Sequence, residues 1–202
     1  FPRGSNIDGF RRVFADGRIL RSYMNTILIT ALGTSVNLVL TVPAAYVLST
    51  RDFALRKHVM VLLIITMFFG GGMIPNYLLV RNLGLLDSWW ALILPGAVSA
   101  WNLIVCRTFF QTNVSGDLTD AAKIDGANHW QFFTRVALPI SKVIIVILGL
   151  FYGVGHWNSY WSALLYIHDQ DKYPLQLILR DILLREQLSP QMMQAEMTEG
   201  DT

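Results

Sequence analysis

The sequence predicts an all-α integral membrane protein built as a polytopic helical bundle, and three observations carry that prediction. Of its 202 residues, 53% are hydrophobic and only 15% charged, whereas a soluble domain of this length carries about a quarter of its residues as charges. The charges crowd into short stretches with long apolar runs between them, and the mean hydropathy is +0.42. Four of those runs are long enough to cross a hydrocarbon core of about 30 Å, which takes roughly 20 helical residues.

Residues 1–22 are polar and arginine-bearing, show no secretory signal and open on Phe1. They read as an extracytoplasmic leading segment within a longer chain. Residues 23–162 form the expected membrane core, with spans near Tyr23–Leu48, Val59–Val80, Trp89–Phe110 and Val143–Tyr160. The first span carries Asn25, Thr30, Thr34, Ser35, Asn37 and Thr41, residue types that inside a membrane most often hydrogen-bond between helices. The second contains Gly70-Gly71-Gly72 followed by Pro75. Three glycines and a missing amide donor should kink or break it near its far end. Such a break is tolerated only where protein or a wet cavity satisfies the freed backbone.

Residues 163–202 are expected on the outer side. Within them Leu175, Ile178, Leu179, Ile182 and Leu183 recur at helical spacing, with Arg180, Asp181, Arg185 and Glu186 opposite. Leu175–Leu188 therefore reads as a short amphipathic helix lying on the surface or against the bundle, too charged to span. The side follows from the short loops. Arg51, Arg56 and Lys57 between the first two spans argue for a cytoplasmic loop. The loop between the third and fourth spans, with Arg107, Lys123, Arg135 and Lys142 about it, then lies on the same face. Residues 81–88 and everything after Tyr160 fall outside. Arg3, Arg11, Arg12, Arg18 and Arg21 run against this assignment.

Several classes are excluded by what the residues do not form. A net charge of +2 is too small to suggest nucleic acid. The single cysteine, Cys106, lies in an apolar run and cannot make an internal disulfide. No metal-ligand spacing, paired carboxylates or nucleophile–base set is visible, and His156 has no acidic or nucleophilic partner at a sensible spacing. No catalytic residue, metal or cofactor is therefore expected. No glycine-rich phosphate loop with a lysine occurs, so this chain is not expected to bind or hydrolyse ATP itself. The alternative is a secondary transporter or channel subunit not driven by ATP. Such proteins usually bury charges within their spans, and these spans hold almost none.

The most informative stretch is the loop at 111–139. Leu118 to Asp125 reads as a short helix that Ser115 or Asp117 can cap. Gly126 stands where a left-handed residue would end it. Asn128 and Gln131 form a capping-box pattern that restarts a helix, and Pro139 suits the first turn of the next element. Ala121 and Ala122 keep one face small. Ile124, Trp130, Phe132 and Phe133 are apolar anchors that need either this chain's own bundle or a partner's groove.

This segment resembles the EAA loop of binding-protein-dependent (MetI-like) ABC importer permeases. That pattern is Glu-Ala-Ala, three residues, Gly, nine residues, Ile, one residue, Leu-Pro. Asp120-Ala121-Ala122, Gly126, Val136 and Leu138-Pro139 match it without a gap, with Asp120 in place of Glu and Val136 in place of Ile. The resemblance implies that the first helix of the loop docks into a cleft of a cytoplasmic ATP-binding subunit. Asp120, Ala121, Ala122, Asp125, Gly126, Leu138 and Pro139 would be the docking positions. Gly70 to Pro75, Leu83 to Leu86 and Trp89 to Pro95 are similar to the carbohydrate branch, which holds the smaller maltose permease subunit and permeases for oligosaccharides and polysaccharides. It implies a type I importer permease fold in the bacterial cytoplasmic membrane. A second permease subunit, an extracytoplasmic substrate-binding protein and the lipid bilayer would be its other partners. Family members have six spans in this subunit and about four are visible here, so the first and last are expected to lie outside this sequence.

The fourth span ends in Tyr152-Gly-Val-Gly-His156-Trp157-Asn158-Ser-Tyr160-Trp161. Such a cluster is either an interfacial aromatic belt or part of a sugar path, with rings stacking on pyranose faces and amides meeting hydroxyls. Tyr152, Trp157 and Asn158 are the candidates for the second role.

Overall fold

The computed structural model describes residues 17–50 and 52–183, and every regular element among them is helical. Helix α1 (Gly17–Ser49) runs 33 residues, about 50 Å at 1.5 Å per residue. It is the one described helix that is by itself long and apolar enough to cross a membrane. It contains the expected first span whole.

The second expected span is two helices, α2 (Arg56–Phe68) and α3 (Met73–Asn82), set 114° apart. The break falls at the glycine triplet, and Gly72 takes a φ of +82°, a conformation that a side chain would strain. No residue of α2 is buried.

The third expected span is also interrupted, which the sequence reading did not anticipate. The short α4 (Trp90–Ile93) is separated from α5 (Ala100–Asn113) by a non-helical stretch around Pro95-Gly96. Pro95 withdraws a backbone donor, and Ser99 opens α5 by accepting a bond from the Asn102 amide. The groups freed by the break find side-chain partners. The Asn37 amide donates to the Gly96 carbonyl at 2.9 Å, and the Ser99 amide donates to the Tyr152 hydroxyl at 3.2 Å. These contacts meet the demand that irregular backbone at membrane depth be satisfied internally.

After α6 (Gly116–Ile124) comes α7 (His129–Ile140), which turns 78° at Ser141 into α8 (Lys142–Trp157). Short α9 (Tyr160–Tyr166), a 3-10 turn at Gln170–Lys172 and a helix α10 over 175–183 complete the described chain. Four unbroken spans are thus not present among the described residues. One helix is long and apolar enough to cross by itself, and the number rises to three if each bent pair counts as one span. The expected amphipathic helix is helical over 175–183, while 184–188 lie outside the described residues. Its buried apolar residue is Leu177. Of the predicted stripe, Leu175 and Ile178 are half-buried, whereas Leu179, Ile182 and Leu183 are exposed.

Two apolar cores lie toward opposite ends of α1. One joins Val42, Ala45, Tyr46 and Leu48 to Phe110 of α5, Phe132 and Phe133 of α7, and Leu148 and Tyr152 of α8. The other joins Ile29 to Val80, Leu92, Ala163, Tyr166 and Leu177.

Candidate docking surface and the family it identifies

Helix α6 forms where the local signals place it. The Ser115 side chain accepts from the Leu118 amide, so Ser115 rather than Asp117 is the cap. Gly126 has a φ of +76°, the left-handed geometry in which an L side chain would cost about 1–2 kcal/mol. Its amide returns to the Lys123 carbonyl and that of Ala127 to the Ala122 carbonyl. Asn128 and Gln131 then make the complete capping box of α7. Further on, Phe133–Ala137 widens into a π-turn in which the Leu138 amide reaches back to the Phe133 carbonyl. Pro139 follows directly, a residue that cannot donate at all.

No residue of α6 is buried. Asp120, Ala121, Asp125 and Gly126 are exposed, whereas Ala122 and Leu138 are half-buried against the first core. Pro139 is exposed but sits on α7, past the π-turn. The four apolar anchors divide. Phe132 and Phe133 are buried in this chain's own bundle, and Ile124 and Trp130 remain 87% and 66% exposed.

The loop is held from the side. Lys123 Nζ pairs with Asp52 Oδ2 at 3.0 Å, tying α6 to the α1–α2 connection. That contact lowers the Asp52 carboxyl below its usual range and raises the Lys123 ammonium above its own. A cavity of about 320 Å³ lies between them, lined among others by Tyr46, Asp52, Arg56, Thr119 and Asp120. The two loops that the charge pattern assigned to one face therefore do lie together.

At the other end of the bundle, Asp87 gathers the segment after α9. Its carboxylate accepts from the His168 and Asp169 amides at 3.1 and 3.0 Å and from Lys172 Nζ at 2.8 Å. Asp87 itself has a φ of 59°. Arg21 pairs with Asp171 at 2.8 Å, so part of the positive charge that ran against the topology is matched within the fold.

The three candidate pathway residues do not form one cluster. Tyr152 is 6% exposed, and its hydroxyl lies 2.8 Å from Thr41 Oγ1 besides accepting from Ser99. Trp157 meets Tyr23 edge to face at 6.1 Å. Asn158 is exposed and donates to the Val154 carbonyl at the end of α8. The sequence reading missed the polar contact beside them. His156 Nε2 lies 2.9 Å from Asn37 Oδ1, both buried, with the imidazole lying over Gly33. The signal available was a glycine among the threonines and asparagines of α1. Nothing local tied it to a histidine more than a hundred residues away.

Residues 15–191 match the family described as binding-protein-dependent transport system inner membrane component. The chain belongs to this family. Two Bacillus subtilis proteins illustrate its relatives. The polygalacturonan/rhamnogalacturonan transport system permease protein YtcP is 44% identical over 91% of this chain and 64% of its own length. Protein LplC is 44% identical over all of this chain and 66% of its own. Among solved structures, a chain of a bacterial ABC transporter involved in import of the acidic polysaccharide alginate superposes with a TM-score of 0.86. It is 33% identical, over 90% of this chain and 64% of that one. This member of the inner membrane component family thus spans just under two thirds of the length of the relatives it matches.

Proposed function

We propose that this chain is the transmembrane permease part of an ABC importer that moves an oligosaccharide or polysaccharide across the bacterial cytoplasmic membrane. The observation that carries the reading is α6. It is capped at both ends, it buries no residue of its own, and it presents Asp120, Ala121 and Ile124 to the outside. A short exposed helix held by Lys123 and Gly126 is suited to enter another protein's cleft. The partner is the ATP-binding subunit, which supplies the energy. A second permease subunit completes the path, and a substrate-binding protein delivers sugar to the face that carries residues 163–183. The substrate class is supported by relatives whose names specify polygalacturonan and alginate transport. Residues 23–162 form the membrane core, with 111–139 facing the cytoplasm.

The test is cysteine cross-linking in membranes holding the full-length subunit and a co-expressed ATP-binding partner. Cysteines at Ala121 and Ile124, both exposed, should cross-link to the partner in an ATP-sensitive manner. One at Ala122, turned toward the first core, should do so far less. Labelling of Ala121→Cys only from the outside of the cell would sink the proposal.

A further inference from the structure

We propose that α1 is the helix that receives the motion of the docking loop, through Tyr46, and carries it to the opposite face of the bundle. The inference rests on the docking reading above, and concerns what lies behind that surface. One covalent route from the loop runs back through Val114 and Ser115 into α5, whose Phe110 packs on Tyr46, and the other runs from α7 into α8. The latter passes a π-turn at Phe133–Ala137, then Pro139, then a 78° bend at Ser141. A π-turn and a proline are both places where a helix bends.

The contact with α1 is of another kind. Tyr46 is 7% exposed, and its ring centroid lies 4.9 Å from that of Phe133, 6.4 Å from Phe132 and 5.7 Å from Phe110. Trp130 continues the cluster, 5.6 Å from Phe133. The Lys123–Asp52 pair holds α6 to the residues that follow α1 directly. A shift of α6 and α7 therefore meets the end of α1 at two places, one of them a close-packed aromatic contact that cannot compress.

From Tyr46 the chain stays helical to Gly17 as one element, with Pro43 withdrawing a single backbone donor inside it. Its far end grips the segment at the other face. The Asn25 side-chain amide donates to the Asp171 and Tyr173 carbonyls at 2.8 and 3.2 Å. The Leu175 amide donates to Thr26 Oγ1 at 2.8 Å, and Arg21 pairs with Asp171. One continuous helix thus bears the loop's aromatic cluster near one end and residues 171–175 at the other. Tyr46 is a positioning residue, acting through α1.

The experiment uses the full-length subunit assembled with its permease and ATP-binding partners in proteoliposomes. Gln170→Cys, on the exposed 3-10 turn, serves as reporter, and native Cys106 is fully buried. The rate of maleimide labelling is compared without nucleotide and with ATP and vanadate. The rates should differ in the otherwise unaltered chain and in Tyr46→Phe. The difference should be lost in Tyr46→Leu and in Phe133→Leu, with the ATP-binding subunit still co-purifying. A nucleotide-dependent difference that survives both leucine variants, or that is absent from the parent, overturns the proposal. So does loss of co-purification in Tyr46→Leu with normal membrane levels, since Tyr46 would then belong to the docking scaffold. Failure of the unaltered chain to hold an ATP-binding subunit would instead overturn the docking reading beneath it.

Discussion

Replacing Gly33 with alanine isolates the contact between α1 and α8. A Cβ built at Gly33 would lie 2.6 Å from His156 Nε2 and 2.7 and 2.8 Å from two ring carbons. Ordinary contact needs about 3.5 Å or more, so the imidazole must retreat by most of an ångström. It cannot retreat freely, because it is buried and lies 2.9 Å from Asn37 Oδ1. Forcing a group into a packed interior costs about 1–3 kcal/mol. Loss of the His156–Asn37 bond adds about 1 kcal/mol, and the better helix propensity of alanine returns about 1 kcal/mol. The net expectation is a destabilisation of about 1–3 kcal/mol. The assay is heat-induced loss of the monodisperse peak of the detergent-solubilised assembly, run on Gly33→Ala, His156→Ala and the double variant. Without the imidazole, Gly33→Ala should be neutral or slightly stabilising. An equal loss of stability with and without His156 would refute the reasoning, because the cost would then come from something other than this close approach.

Two further outcomes follow from the loop ends. At Gly126 no atom of the described residues, its immediate chain neighbours aside, lies within 4 Å of an added Cβ. Asparagine tolerates the left-handed backbone and should leave the subunit folded and at normal membrane levels. Gly126→Asn and Gly126→Val should nevertheless both lose co-purification of the ATP-binding subunit, and normal assembly of the asparagine variant would show that only the turn geometry matters. At the opposite face, the Lys172 ammonium, followed by the Asp169 and His168 amides, holds the Asp87 carboxyl down from 3.8 to about 2. A depressed carboxyl contributes its stabilisation above its ordinary value, and that contribution is lost as pH falls through the folded one. Protection of the His168 and Asp169 amides from hydrogen exchange should therefore fall between about pH 4 and pH 2. Asp87→Asn should lack this acid step, and an identical acid profile in that variant would exclude the carboxylate as its cause.

The sequence by itself determined what depends on near neighbours. Hydropathy marks α1 because one helix satisfies its own backbone whatever surrounds it. The cap at Ser115, the left-handed Gly126 and the Asn128–Gln131 box were legible because each acts within a few residues of chain. The motif residues Asp120, Ala121, Ala122 and Gly126, on which the docking proposal rests, were legible for the same reason, being residue types at fixed short spacings. The structure decided the rest. Hydropathy alone could not show that α4 and α5 are separate, since an apolar run looks the same whether continuous or broken at Pro95. Nor could it divide the anchors into Phe132 and Phe133, buried against Tyr46, and Ile124 and Trp130, left outside. The meeting of the Tyr152 hydroxyl with Thr41 spans 111 positions of sequence. His156 finds Asn37 across 119. Pairings of that span are set by how helices stack, and stacking follows from the shapes of all the facing side chains together.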